Sequence, residues 1–202
     1  RRGKKEEDSL PVDFVDGKLA HVTNAVERIR KIVKGLKAFA RDEEGEAFSV
    51  FDLEKVIDDV LAFCRERFKS HGVELRVSPV PHVELLGRPY QVGQIVLNLL
   101  NNAFDAVQNS ETRIVELSLI AEADEVRIDV LDSGPGVPPT IAETIFNPFF
   151  TTKEAGRGTG LGLSLSRGLA QDHGGKLSLE KRDGRTFFTL HLPRIKERER
   201  AG

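Results

Sequence analysis

Within LNLLNNAFDAV (residues 97–107), Asn98, Asn102 and Asp105 stand at i, i+4 and i+7, which places three oxygen-bearing side chains on one stripe of a helix. Asn and Asp are poor helix formers, and a buried amide without a partner costs about 1–3 kcal/mol. The stripe therefore needs something to compensate it. Hard oxygen acceptors suit Mg²⁺, which retains waters and takes one or two protein oxygens together with phosphates. The alternative is structural: an amide ladder that satisfies a neighbouring loop, with Asn101 capping a neighbour and Asp105 supporting a pocket.

Two further stretches carry chemistry. In LDSGPGVPP, Asp132 ends a strand, and Gly134 and Gly136 allow a tight backbone path. Such a carboxylate can accept a hydrogen bond from an exocyclic amine such as adenine N6, although turns often have the same wording. In GRGTGLGLSLS, Gly156, Gly158, Gly160 and Gly162 alternate ahead of a helix. Closely approaching N–H groups and the helix N-terminus favour an anion, above all phosphate. The register is neither a dinucleotide fingerprint nor a Walker A loop, and the bland alternative is a flexible loop. Between them, IFNPFFTTKE offers Phe146, Phe149 and Phe150 either as the base of a mobile lid or as core.

The elements that must position these residues follow from periodicity. Leu19, Val22, Val26, Ile29, Val33, Leu36 and Ala40 form the apolar seam of a helix over 13–41, which reads either as packing against the following domain or, by its regularity, as pairing with a second copy and a missing partner helix. Residues 1–12 read as a frayed start, 13–43 as this helix and its exit, 44–195 as the main domain and 196–202 as a tail. Inside the domain we expect a strand over 48–51, a helix capped by Asp52 and closed near Gly72, and a strand over 73–77. A turn-rich stretch, SPVPHVELLGRP, precedes the helix over 90–108. Strands over 113–120 and 125–131 read as an antiparallel pair, followed by the glycine-rich region, a helix to His173, and strands over 176–181 and 186–192. This segregation predicts an α+β fold, a two-layer α/β sandwich with the helices on one face of one sheet.

With 30 basic and 32 acidic residues the formal charge is -2, so bulk charge gives no support for nucleic-acid or membrane binding. No apolar run approaches the roughly 18 residues of a membrane span. The single cysteine, Cys64, falls on an apolar helical stripe and reads as a buried thiol. The sequence contains no Met, so Arg1 is expected to lie inside a longer protein.

In order and wording, NLLNNAFDA, DSGPG, IFNPFFTTK and GRGTGLGL resemble the N, G1, F and G2 boxes of two-component sensor histidine kinases, which use the Bergerat ATP-binding fold. The wording is most similar to nitrogen-regulator-type kinases. RIRKIVKGLKAFAR resembles the second helix of that family's dimerisation and phosphotransfer hairpin. The resemblance implies ATP and Mg²⁺ as ligands, with Asn102 the metal ligand, Asn98 near metal and phosphates, and Asp105 and Thr152 in the nucleotide site. Asp132 is the implied adenine contact, with Gly134 and Gly136 shaping the pocket. Lys153 and Arg157 are the implied phosphate contacts, and Gly158, Thr159, Gly160, Leu161 and Gly162 form the closing hinge. Implied partners are a second copy, through helix 13–41, and a response-regulator receiver domain; the implied location is cytoplasmic, in a parent that can be membrane-tethered.

Related hydrolases on this fold place a Glu one turn before the metal-binding Asn, where this chain has Asn98, which has no basic carboxylate to activate water. Transfer of a phosphoryl group to a protein histidine is therefore favoured over hydrolysis. A nucleotide-sensing module without catalysis and an ATPase are the other readings. The acceptor is not evident: His21 is followed by Val22, has Val26 where the family has Pro, and sits on the second hairpin helix. An acceptor upstream of Arg1 is expected, leaving this chain unable to phosphorylate itself. His71 and His173 read as helix ends, His82 as part of a turn and His191 as a strand residue.

Overall fold

A computed structural model describes residues 23, 26, 47–153, 158–182 and 185–195. Thr23 and Val26 are helical, but the rest of the helix expected over 13–41, together with His21 and Arg157, lies outside the described residues.

Strand β1 (Ser49–Asp52) leads directly into α1 (Leu53–Ser70). Asp52 ends the strand in extended conformation and accepts a hydrogen bond from the Glu54 N–H at 3.0 Å, satisfying one of the donors that a helix start leaves open. The apolar stripe of α1, including Cys64, is buried. At the far end Gly72 takes φ 65° and its N–H bonds the Lys69 carbonyl, which closes the helix as expected. Strand β2 (Glu74–Val77) follows.

A difference from expectation comes next. The turn-rich stretch contains a strand, β3 (Glu84–Gly87), which pairs antiparallel with β1 in a separate two-stranded sheet. Helix α2 (Pro89–Val107) starts with Pro, whose fixed φ and missing N–H suit a first helical position. Val92, Ile95, Val96, Leu99, Leu100, Ala103, Phe104 and Val107 recur at steps of three and four, and all are buried. Strands β4 (Ile114–Ala121) and β5 (Glu125–Asp132), helix α3 (Gly162–Asp172), and strands β6 (Lys176–Arg182) and β7 (Arg185–Pro193) complete the domain.

The main sheet has the order β2-β4-β5-β7-β6, with β2 parallel to β4 and the other pairs antiparallel. One face carries Val115, Leu117, Val126, Ile128, Leu190 and Leu192, all nearly inaccessible, and merges with the apolar faces of the helices into one core. The expected α+β two-layer arrangement is present, with the β1–β3 pair added to it.

The other face is polar. Asp129, 3% exposed, accepts from both terminal nitrogens of Arg182 at 2.6 and 2.7 Å and from Thr189 Oγ1 at 2.9 Å. Burial raises the Asp129 pKa, but these hydrogen bonds and the charges of Arg182 and Arg127 outweigh it and hold the pKa below the usual range. His191 lies between Glu125 (2.7 Å) and Glu180 (3.3 Å). Burial lowers its pKa, yet the bonds to both carboxylates raise it further, and the net direction is up. A histidine whose pKa rises on folding adds stability that is complete below the unfolded value of about 6.5 and is lost as pH climbs through the folded value. His191→Gln should therefore lower the melting temperature more at pH 6 than at pH 9; an equal loss at both would show that the imidazolium does not contribute.

Candidate functional site

One cavity of about 1300 Å³ opens between α2, the end of β5 and the segment leading into α3. It brings together nearly every residue singled out from the sequence. Asn98, Asn102 and Asp105 line it from α2; Asp132, Gly134 and Gly136 from the end of β5; Thr152, Lys153, Gly158, Thr159, Gly160 and Gly162 from the glycine-rich segment. Leu161 does not line it but caps α3, its N–H 3.4 Å from Thr159 Oγ1.

On α2 the amides are compensated one by one. Asn98 Nδ2 donates to Ser166 Oγ on α3 at 2.9 Å. Its Oδ1 lies so close to Gly162 that a Cβ there would sit 2.4 Å away, so a side chain at that position would have to displace the Asn98 amide. Asn101 Oδ1 accepts from Arg67 Nη1 on α1 at 2.6 Å, a side-chain tie and not the helix cap expected. Asp105 is held from two sides, by Arg67 Nη2 at 3.5 Å and by Lys153 Nζ at 2.5 Å, and Lys153 Nζ also reaches Asn102 Oδ1 at 3.3 Å. This end of the cavity is thus an oxygen cluster that already attracts cations.

Asp132 provides a contrasting environment. Its Oδ1 accepts the Gly134 N–H at 2.9 Å. Burial pushes its pKa up, and that single backbone hydrogen bond only partly opposes it. The same cavity is lined by Leu131, Ile141, Ile145, Phe150 and Phe188, a setting for a flat apolar group with a polar edge. The cavity thus combines an apolar lining and the Asp132 acceptor with the oxygen-rich, cation-holding cluster of Asn102 and Asp105.

The glycine run forms the rim. Gly160 takes φ 67°, and a Cβ there would lie 2.3 Å from the Phe149 carbonyl carbon. Backbone meets backbone at this point, so no side chain fits. The three aromatics of the preceding motif take separate places: Phe146 is buried in the core, Phe150 lines the cavity, and Phe149 is exposed at φ 68°.

Sequence reasoning missed Ser166, Arg67, Thr186 and Phe188. Alternation along β7 signals that Thr186 and Phe188 share the face of Leu190 and Leu192. Nothing local signals that Arg67 reaches α2, where it also lies 4.1 Å over the Phe104 ring. His173 is structural, as expected from its place at the helix stop: it is buried, Nδ1 lies 2.8 Å from the Leu169 carbonyl, and Nε2 accepts the Arg88 N–H at 3.0 Å.

Comparison with known proteins agrees with this geometry. The profile described as "Histidine kinase-, DNA gyrase B-, and HSP90-like ATPase" matches residues 87–196. The two-component sensor PprA of Pseudomonas aeruginosa is 34% identical over 199 residues, covering 96% of this chain and 22% of its own length. The sensory histidine kinase/phosphatase NtrB of Escherichia coli O157:H7 is 38% identical over 119 residues, covering 54% of this chain and 34% of its own. The chain thus spans only a minor part of these relatives. Among solved structures, the catalytic domain of histidine kinase ThkA superposes with TM-score 0.65 at 30% identity, covering 73% of this chain and 96% of that one. ThkA in complex with the response regulator TrrA gives TM-score 0.73 at 25% identity, covering 94% and 54%. The sequence boxes, the cavity they line and these likenesses converge: the chain belongs to the histidine kinase-, DNA gyrase B- and HSP90-like ATPase family, as a catalytic ATP-binding domain of the histidine kinase type.

Proposed function

We propose that this chain binds Mg·ATP in the cavity and directs the γ-phosphoryl group to a histidine on a dimerisation hairpin, the reaction of a protein-histidine kinase in two-component signalling. The observation that carries this reading is Asn98. The residue one turn before Asn102 lines the cavity, yet it is an amide tied to Ser166 and cannot take a proton from water. Phosphoryl transfer to a positioned acceptor needs orientation and charge neutralisation more than a strong base.

The residues fit both ligands. Asp132, with its adjacent apolar wall, suits adenine, whose exocyclic amine is a donor. Thr152, Gly158, Thr159, Gly160, Gly162 and the start of α3 suit the phosphates, with Lys153 and Arg157 as cations and Leu161 setting the helix cap. The oxygen donors Asn102 and Asp105, already in contact with an ammonium, suit a hard divalent ion. Asn102 would hold Mg²⁺ when it is bound, and its charge would offset that of the triphosphate. Asn98 then orients the start of α3 beside the phosphates.

The helix over 13–41 is proposed to pair with a second copy, and a response-regulator receiver domain to take the phosphoryl group onward, by analogy with ThkA and TrrA. The proposed setting is cytoplasmic. Among the described residues, no helix is long and apolar enough to cross a membrane.

Calorimetry should detect Mg·ATP binding by the wild type, weakened at least about tenfold in Asn102→Ala; equal binding by both contradicts the metal assignment. Radioactive ATP should leave no acid-labile label on His21, and no steady phosphate release should occur; sustained turnover would favour an ATPase. Asp132→Asn separates binding from stability. A carboxyl whose pKa rises on folding stabilises most below its unfolded value of about 3.9, and this is lost as pH rises through the folded value. At pH 7 the buried charge is a penalty that the amide removes while still accepting from Gly134. The variant should melt at a higher temperature than wild type at pH 7, with the gain shrinking towards pH 3, and should lose nucleotide binding; a lower melting temperature at pH 7 contradicts this.

A further inference from the structure

Two cations of the chain, Arg67 and Lys153, approach the oxygen-rich end of the cavity. Arg67 lies on α1, stacked on Phe104 and bonded to Asn101, so its place is set by packing. Lys153 is different. It belongs to the rim segment, and its ammonium contacts both Asp105 Oδ2 and Asn102 Oδ1. Its stem packs on the other end of the same rim: a Cβ on Gly158 would meet Lys153 Cβ at 3.3 Å and Cδ at 3.4 Å. One side chain therefore joins Gly158, the rim and α2.

We propose that Lys153 is the resident counter-ion of this site: without nucleotide its ammonium occupies the oxygens Asn102 Oδ1 and Asp105 Oδ2, and a divalent ion must displace it to enter. This inference rests on the reading of the cavity as an Mg·ATP site and adds an order of events to it. Displacement breaks the contacts of the Lys153 head group with Asp105 and Asn102 on α2. The released ammonium stays tethered beside the cavity, where the triphosphate supplies a new anionic partner. Lysine suits this task because it is a compact point charge on a flexible stem, without the bidentate geometry that would fix an arginine on Asp105. Both partners are about one-third exposed, with side-chain accessibilities of 34% and 37%, so the pair is weak enough to exchange. Arg67 remains on Asp105 Oδ1 throughout and holds the carboxylate in register.

The test uses metal alone. The chain is titrated with Mn²⁺ without nucleotide, and paramagnetic broadening of the amide resonances over residues 98–105 gives the half-saturating concentration. Lys153→Met should bind Mn²⁺ about three- to fivefold more tightly than wild type, the size expected when one exposed ion pair stops competing. Lys153→Arg, which keeps the charge, should return the affinity towards wild type. Identical Mn²⁺ titrations for wild type and Lys153→Met would overturn the exchange, as would equal tightening in Lys153→Arg, because a charge effect would then be absent. Calorimetry of wild type with Mg·ATP separates the failures: binding there with no Mn²⁺ effect in Lys153→Met refutes the counter-ion role alone, whereas no binding refutes the nucleotide reading beneath it.

Discussion

Helix α2 must bury one face completely and present amides and a carboxylate on another, and the domain is organised around that constraint. Eight apolar side chains from Val92 to Val107 fix its rotation against the sheet and α1, because turning the helix by one residue would drive an asparagine into the core. The amides that this rotation leaves between elements are then matched individually. Asn98 is answered by Ser166 and by the bare Cα of Gly162, Asn101 by Arg67, and Asn102 and Asp105 by Lys153. Together the pairings tie α2 to α3, to α1 and to the rim segment. The glycine rim is positioned through these ties.

Two carboxylates on β5 show how environment assigns different work to one residue type. Asp129 and Asp132 are three residues apart, and burial acts on both in the same direction. Arg182, Thr189 and Arg127 surround Asp129 and keep it ionised as part of the sheet's polar face. Asp132 has one backbone N–H from Gly134, so its pKa moves up instead of down. A buried acceptor left with so little compensation costs stability, and such a cost is typical where a ligand is to supply the missing partner.

Where local chemistry decides structure, the sequence was legible. The Asp52 cap, the Gly72 stop, the seams of α1 and α2 and the antiparallel pairing of β4 with β5 all follow from spacing and termini. So did the gathering of Asn98, Asn102, Asp105, Asp132 and the glycines, because four motifs in order resemble one family. What was missed depends on distance along the chain. Strand β3 hides among Pro79, Pro81 and Gly87, and its partner β1 lies some 35 residues earlier. Arg67 is one of many charged residues on α1, and only the packing of α1 on α2 brings it to Asn101 and Asp105. Thr186 and Phe188 read as ordinary strand residues; that they form cavity wall follows from where the helices stop covering the sheet. The motif IFNPFFTTKE allowed lid or core, and its aromatics in fact divide between core, cavity wall and solvent.

In the proposed function the cavity holds an adenine base against Asp132 and the phosphates beside Asn102. Comparing Mg·ATP with Mg·ITP by calorimetry is the sharpest check, because the inosine base replaces the amine donor with a carbonyl oxygen and turns the neighbouring N1 from an acceptor into an N–H donor, which reverses the hydrogen-bonding edge that Asp132 would meet. A carboxylate that accepts from the amine should repel the carbonyl, so Mg·ITP should bind at least about a hundredfold more weakly. Equal affinity for the two nucleotides would contradict the assignment of Asp132 to the base, and with it the orientation of the nucleotide in the cavity.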